Sequence, residues 1–227
     1  MLSGATHIDI AERDVDVPLS ALGEEQARSL GRWFAAMPAS DRPEIVLTSP
    51  YARAVQTAAL AQSQGALVRS AEFGIDERLR EKEFGILDRL TREGIETLHP
   101  EQAEFRRLLG KFYHRPPAGE SWCDVILRLR SAMETISLHH AGKRVLIVAH
   151  QVVVLCLRYL LERLTEAEIL AIDAEGDVAN CAVTEYALDL NQGPNGKLTL
   201  LRYNFVAPLR RDGTPVTTQP DANVAAR

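Results

Sequence analysis

The sequence predicts an α/β fold, a three-layer α/β/α sandwich with a mostly parallel sheet. Two observations carry this. From Glu44 onward, short apolar runs alternate with longer segments of helical periodicity, and such alternation implies a parallel sheet covered on both faces. One run, "RVLIVAH" (Arg144 to His150), is apolar nearly throughout, as a strand buried on both faces should be.

The elements follow in order. "LSALGEEQARSLGRWFAAM" (Leu19 to Met37) is an amphipathic helix, with Leu22, Ala27, Leu30 and Phe34 on one face. "EIVLTS" (Glu44 to Ser49) is a short buried strand. Ser49-Pro50 opens the next helix, because serine caps and proline suits the first helical position. "ALVRSAEF" (Ala66 to Phe73) is a second strand. Pro100 to Tyr113 is helical, and "HRPPAGES" (His114 to Ser121) is a stiff loop. Ser121 and Asp124 form a capping box for the helix Trp122 to Ile136. Arg144 to His150 is the central strand and Val152 to Leu164 its helix. "CAVTEYALDL" and "KLTLLRYNFV" are two late strands. Residues 1–208 form one domain, and residues 209–227 a disordered tail.

Composition excludes several function classes. The net charge of −5 and pI near 5.7 disfavour nucleic acid or an anionic membrane as partner. Cys123, Cys156 and Cys181 lie far apart with no metal-ligand spacing, which implies buried thiols in a reducing cytoplasm and no metal or other cofactor. The N-terminus has no basic segment followed by an apolar one, so no signal peptide is expected. The apolar run at His150 is broken by His150, Gln151 and Arg158, too soon for a membrane span.

In open parallel sheets, ligands bind beyond the carboxyl ends of the strands, and two such ends are chemically marked. Arg53 lies one turn into the helix that follows the first strand, where guanidinium and helix N-terminus together favour an oxyanion. An exposed arginine on an amphipathic helix fits the same spacing. His150 ends the central strand, where an imidazole can stabilise a transferring phosphoryl group; a core histidine bonded to a carbonyl is the alternative. Glu81, in "LREKEFG", can protonate a leaving oxygen, or it belongs to a solvated charge run. Lys111 and Arg115 flank the proline-rich loop, which can act as a lid that reads the substrate; solvation alone also explains them.

Taken in order, these pieces resemble the histidine phosphatase superfamily, with its phosphoglycerate-mutase-like fold. Arg53 in "SPYARAVQTA" matches the second phosphate-binding arginine, Glu81 the proton donor and His150 the second catalytic histidine. "PPAGES" matches the Gly-Glu-Ser turn before a long helix, and Asn180 in "GDVANCAVTEY" matches a residue bordering the site. The resemblance implies a phosphohistidine intermediate, no metal, a phosphorylated small-molecule substrate and a soluble cytoplasmic enzyme, for which a homodimer is an allowed assembly. Gln151, where mutase-like members carry glycine, favours phosphatase over mutase, and Gln151, Lys111 and Arg115 join Asn180 as substrate-binding candidates.

One departure is large. The nucleophile of the family lies in an Arg-His-Gly motif that ends its first strand, and no Arg-His-Gly occurs in these 227 residues. His7 has neither neighbour. The expectation is therefore a sheet without its first central strand and a chain with impaired turnover. The alternatives are a non-catalytic binder of phosphorylated ligands and a mutase-type phosphotransferase.

Overall fold

A computed structural model describes residues 6–8, 12–68, 70–194 and 196–217. Helix α1 (Ala21–Ala35) begins at Ser20, whose hydroxyl accepts the Gly23 N–H, satisfying one orphan donor of the first turn. β1 (Ile45–Thr48) leads into α2 (Ala52–Ser63). Gly31 lets α1 and α2 touch: a Cβ there would stand 2.6 Å from the Ala61 carbonyl oxygen. β2 (Glu72–Ile75), α3 (Arg92–Leu98), α4 (Pro100–Tyr113) and α5 (Trp122–His139) follow. Then come β3 (Val145–Val148), α6 (Gln151–Glu162), α7 (Glu166–Glu175), β4 (Val183–Asp189), β5 (Lys197–Phe205) and α8 (Ala207–Arg211).

The strands form two ladders. β2, β1 and β3 are parallel in that order, with Ile45 opposite Glu72 on one side and Val145 on the other. β4 and β5 form an antiparallel pair. On one face, Leu146 of β3 and Val183 of β4 pack against Leu30, Phe34, Ala61 and Ala66 of the α1–α2 region. On the other, Leu47 and Ile147 pack against a cluster built on Trp122, Leu129, Val153 and Leu155 of α5 and α6. The protein is thus a helix–sheet–helix sandwich.

Although Leu146 and Val183 share a cluster, no ladder joins β3 to β4 among the described residues. The consequence shows in burial. Ile45 and Val46 of β1 are 4% and 1% exposed, whereas all four residues of β3, equally apolar, are only half-buried. A strand paired on one edge leaves backbone groups and apolar side chains open on the other. Residues 6–8 do not lie there. Ile8 N–H donates to the Arg89 carbonyl at 2.7 Å and Thr91 N–H to the Thr6 carbonyl at 3.1 Å, which places His7 opposite Leu90.

Three sequence expectations need correction. The second strand starts at Glu72, not Ala66. Ala66 is fully buried beside the end of α2, the chain then turns through an Ala71 N–H to Val68 carbonyl bond, and pairing begins where Glu72 meets Ile45. The proline-rich loop, expected to be stiff and able to act as a lid, is pinned to its neighbours. Glu120 N–H donates to the Glu83 carbonyl and Ile86 N–H to the Pro117 carbonyl, and Gly85, at φ 56°, could carry no Cβ without meeting Pro117. The expected tail is ordered through residue 217. Leu209 is fully buried, Ser29 and Thr214 hydroxyls are 2.6 Å apart, and Gln26 donates to the Pro215 carbonyl at 2.9 Å. These polar groups of α1 give the segment partners that its composition does not reveal. Residues 218–227 lie outside the described residues.

Candidate active site

His150 follows Ala149 between β3 and α6, and with its backbone extended it caps the helix. That position at a strand end sends the ring to the sheet's carboxyl edge. The residue is 9% exposed. Its Nε2 lies 2.7 Å from the hydroxyl of Ser49, which ends β1 and is fully buried. The Tyr51 ring meets the imidazole edge-on at 4.8 Å, and the Arg53 guanidinium lies over the Tyr51 ring, 4.7 Å from its centroid. Tyr51 thus links His150 and Arg53. Burial, helped by the positive charges of Arg53 and Arg128, pushes the His150 pKa down to about 3, so the ring is neutral at pH 7.

Arg53 is held by Asp14. It donates to the Asp14 backbone carbonyl at 2.7 Å and to its carboxylate at 2.9 and 3.3 Å. A carboxylate is thereby placed against a guanidinium that sits in the first turn of α2.

Glu81 is 9% exposed, and its carboxylate accepts the Lys82 N–H at 2.8 Å. Its negative charge is felt by both Tyr51 and Cys156, whose ionisations it opposes. Burial is the larger cause in each. The segment carrying it is organised by Glu120, a residue that sequence reasoning passed over. Glu120 accepts from Arg80 at 2.9 Å, from Arg128 at 2.9 and 3.0 Å, and from the Glu83 N–H at 3.0 Å. Arg128 also donates to the carbonyls of Arg78 and Glu81. Ser49 and Arg128 were likewise missed. The Ser-Pro start of α2 was the one available signal for Ser49, and nothing local marked Arg128 among the arginines of α5.

The remaining candidates have other partners. Lys111 pairs with Asp173 and lies over the Trp122 ring. Arg115 is 61% exposed and pairs with Asp124, the capping-box acid of α5. Gln151 donates to Asp177 at 2.9 Å and accepts the Val178 N–H, tying the loop after α7 to the start of α6. Asn180 is exposed and donates to Thr217 at 3.4 Å. None of these contacts reaches His150. Among the described residues no group of acidic, histidine or cysteine side chains is arranged to hold a metal ion, and no helix is long and apolar enough to cross a membrane.

Chemically, a neutral imidazole, a serine hydroxyl and a guanidinium gathered around Tyr51 suit an oxyanion, and the buried carboxyl of Glu81, whose charge acts on Tyr51, suits proton transfer to a leaving oxygen. The chain is 33% identical over 144 residues to a probable phosphoglycerate mutase of Photorhabdus laumondii, a match covering 63% of this chain and 62% of that protein. It is 32% identical over 189 residues to a 6-phosphofructo-2-kinase/fructose-2,6-bisphosphatase of Caenorhabditis elegans, covering 78% of this chain and 38% of that protein. The chain therefore spans under two thirds of these relatives' lengths. Among solved structures, YhfR of Bacillus stearothermophilus superposes with a TM-score of 0.70 at 25% identity, covering 86% of this chain and 88% of that one. A mycobacterial glucosyl-3-phosphoglycerate phosphatase in complex with inorganic phosphate shares the fold with a TM-score of 0.68 at 24% identity, over 89% and 95% of the two chains. The sequence profile of the histidine phosphatase superfamily (branch 1) matches residues 4–200, and the chain belongs to that superfamily.

Proposed function

We propose that this fold serves a phosphomonoester hydrolase that works through a phosphohistidine, formed on a histidine that these 227 residues do not supply. The observation that carries the reading is Tyr51, which holds His150 and Arg53 side by side at the carboxyl ends of β3 and β1. In the reaction, a P–N bond to the nucleophile forms as the P–O bond to the alcohol breaks. Arg53 and His150 bind the non-bridging oxygens, and Glu81 gives its proton to the departing alkoxide. Water then attacks phosphorus and returns a proton to the Glu81 carboxylate, the P–N bond breaks and inorganic phosphate leaves. A phosphoryl dianion beside His150 favours the imidazolium and raises its pKa from the value that burial lowers.

Three observations support a nucleophile from elsewhere: the absence of Arg-His-Gly, the placement of His7 against Leu90, and, among the described residues, the unjoined edges of β3 and β4. The Asp14 carboxylate on Arg53 favours a second reading, a protein that holds phosphorylated ligands without turning them over.

Calorimetric titration with inorganic phosphate tests the site. The expected result is weak binding that falls at least about tenfold in Arg53→Met, the loss of one charge-assisted contact of about 1.4 kcal/mol or more. Binding indifferent to Arg53→Met and His150→Ala would remove the basis for the reading.

A further inference from the structure

Ser49 is tied at every polar atom. Its N–H donates to the Val148 carbonyl at 2.9 Å, its carbonyl accepts the Thr48 hydroxyl at 3.0 Å, and its Oγ accepts the Tyr51 N–H at 3.3 Å. That last bond is the local i to i+2 turn that serine favours before a helix, and Pro50 between the two carries no N–H of its own. The residue is fully buried, so solvent does not complete the hydroxyl. Among the described residues one further polar atom reaches Oγ, the Nε2 of His150 at 2.7 Å.

A hydroxyl has one proton to give and two lone pairs. With the Tyr51 N–H on one lone pair, two arrangements remain. In the first, Nε2–H donates to the other lone pair, and the Ser49 proton is left without an acceptor in a buried place, which costs more than a made hydrogen bond contributes. In the second, the Ser49 hydroxyl donates to a bare Nε2. Only the second leaves no buried group unsatisfied. The ring is neutral, because burial and the charges of Arg53 and Arg128 hold its pKa far below 7, and its single proton then sits on Nδ1.

Nδ1 has the opposite surroundings. Among the described residues no hydrogen bond reaches it, and the unpartnered polar atoms that packing seals off belong to Gln26, His114, Thr184 and Tyr203. Nδ1 is therefore the open end of a ring pinned elsewhere, by Ser49 at Nε2 and by the Tyr51 ring packed edge-on at 4.8 Å. Tyr51 also carries the Arg53 guanidinium over its ring, which keeps a second oxyanion donor close to the imidazole. We propose that Ser49 is a positioning residue: it holds His150 in the tautomer with the proton on Nδ1, and so presents Nδ1–H as the donor to a non-bridging phosphoryl oxygen. This rests on the hydrolase reading given above and adds which nitrogen serves it. A neutral ring in the other tautomer turns a lone pair towards the anion instead.

Nitrogen-15 NMR of the whole chain at pH 7 reads the tautomer, because protonated and bare ring nitrogens have widely separated shifts. Comparison with His150→Gln identifies the His150 signals among the six histidines. The expected spectrum has His150 protonated at Nδ1. Ser49→Ala removes the donor and should shift the ring towards Nε2–H, whereas Ser49→Thr, which keeps the hydroxyl, should restore Nδ1–H. Inorganic phosphate should move the Nδ1 signal, and its affinity by calorimetry should fall about tenfold in Ser49→Ala. Protonation at Nε2 in the unsubstituted chain overturns the proposal without any Ser49 variant having to fold. An Nδ1–H that persists in folded Ser49→Ala overturns it too, since another group then sets the tautomer. Phosphate that binds and leaves Nδ1 unmoved removes the donor role but not the phosphate site. If Nδ1–H is found and phosphate does not bind, the donor role falls together with the hydrolase reading, and the Ser49–His150 tautomer alone stands.

Discussion

The Nε2 of His150 stands 2.7 Å from the Ser49 hydroxyl, a contact between residues 101 positions apart that joins the carboxyl ends of β3 and β1. Both residues are buried, so this one hydrogen bond fixes the ring that the proposed chemistry needs.

The low pKa of His150 has a consequence for stability. The ordinary histidine value is 6.5, and burial holds the folded ring at about 3. Between these limits the unfolded chain binds a proton that the folded chain refuses, so stability falls as pH falls through that window. At pH 5.5 the loss from this group is on the order of 1 kcal/mol. Urea unfolding at pH 7 and pH 5.5 should show a smaller loss in His150→Gln than in the unsubstituted chain. Equal losses would mean that His150 titrates normally. His114 adds a loss of the same sign to both proteins.

Asp14 competes with any ligand for Arg53. Asp14→Asn keeps the shape and removes the charge. The expected outcome is phosphate binding strengthened by about 0.5–1 kcal/mol, the worth of a partly exposed ion pair. Weaker phosphate binding in Asp14→Asn would show that Asp14 orders the site instead of occupying it.

Glu120 and Arg115 should differ sharply as sites of substitution. Glu120→Ala leaves Arg128, whose side chain is 10% exposed, without its acidic partner. Removing one member of a buried pair costs about 3–5 kcal/mol. Arg115→Ala breaks an exposed pair with Asp124 and should cost less than about 1 kcal/mol. Chemical denaturation of the two variants checks the ordering, and a Glu120→Ala protein as stable as Arg115→Ala would contradict the central role given to Glu120.

The same residues show what could be read in the sequence. The order of strands and helices was legible because burial on two faces writes itself as the apolar run before His150, and a polar ring ending that run marks a strand terminus. The charge run "LREKEFG" was not legible. Local composition places all its charges in water, whereas tertiary packing turns Glu81 and Lys82 inward and leaves the others at the surface or on Glu120. Lys111 and Arg115 each meet an acid on another element, Asp173 on α7 and Asp124 on α5. Pairing at long range has no local signature.

The open edge of β3 should show in amide hydrogen exchange. Along a parallel strand, successive residues present their N–H groups to alternate neighbours. With β1 as its one partner among the described residues, two of the four β3 amides should exchange slowly and two fast. Slow exchange at all four would mean that another segment already pairs with that edge.

The central claim is that His150, Arg53 and Glu81 await a nucleophile that this chain does not contain. The most direct measurement is p-nitrophenyl phosphate turnover by two proteins, the 227-residue chain and a version extended at its N-terminus by an apolar β-branched strand ending in Arg-His-Gly. Electrostatic binding without a nucleophile cannot break the ester through a phosphoenzyme, and loss of a member of a catalytic unit costs several orders of magnitude in rate. The account predicts negligible turnover by the shorter protein and robust turnover by the longer one, abolished there by His150→Ala. Robust turnover by the 227-residue chain that disappears in His150→Ala would contradict it, and would make another of its own residues, His7 first, the nucleophile.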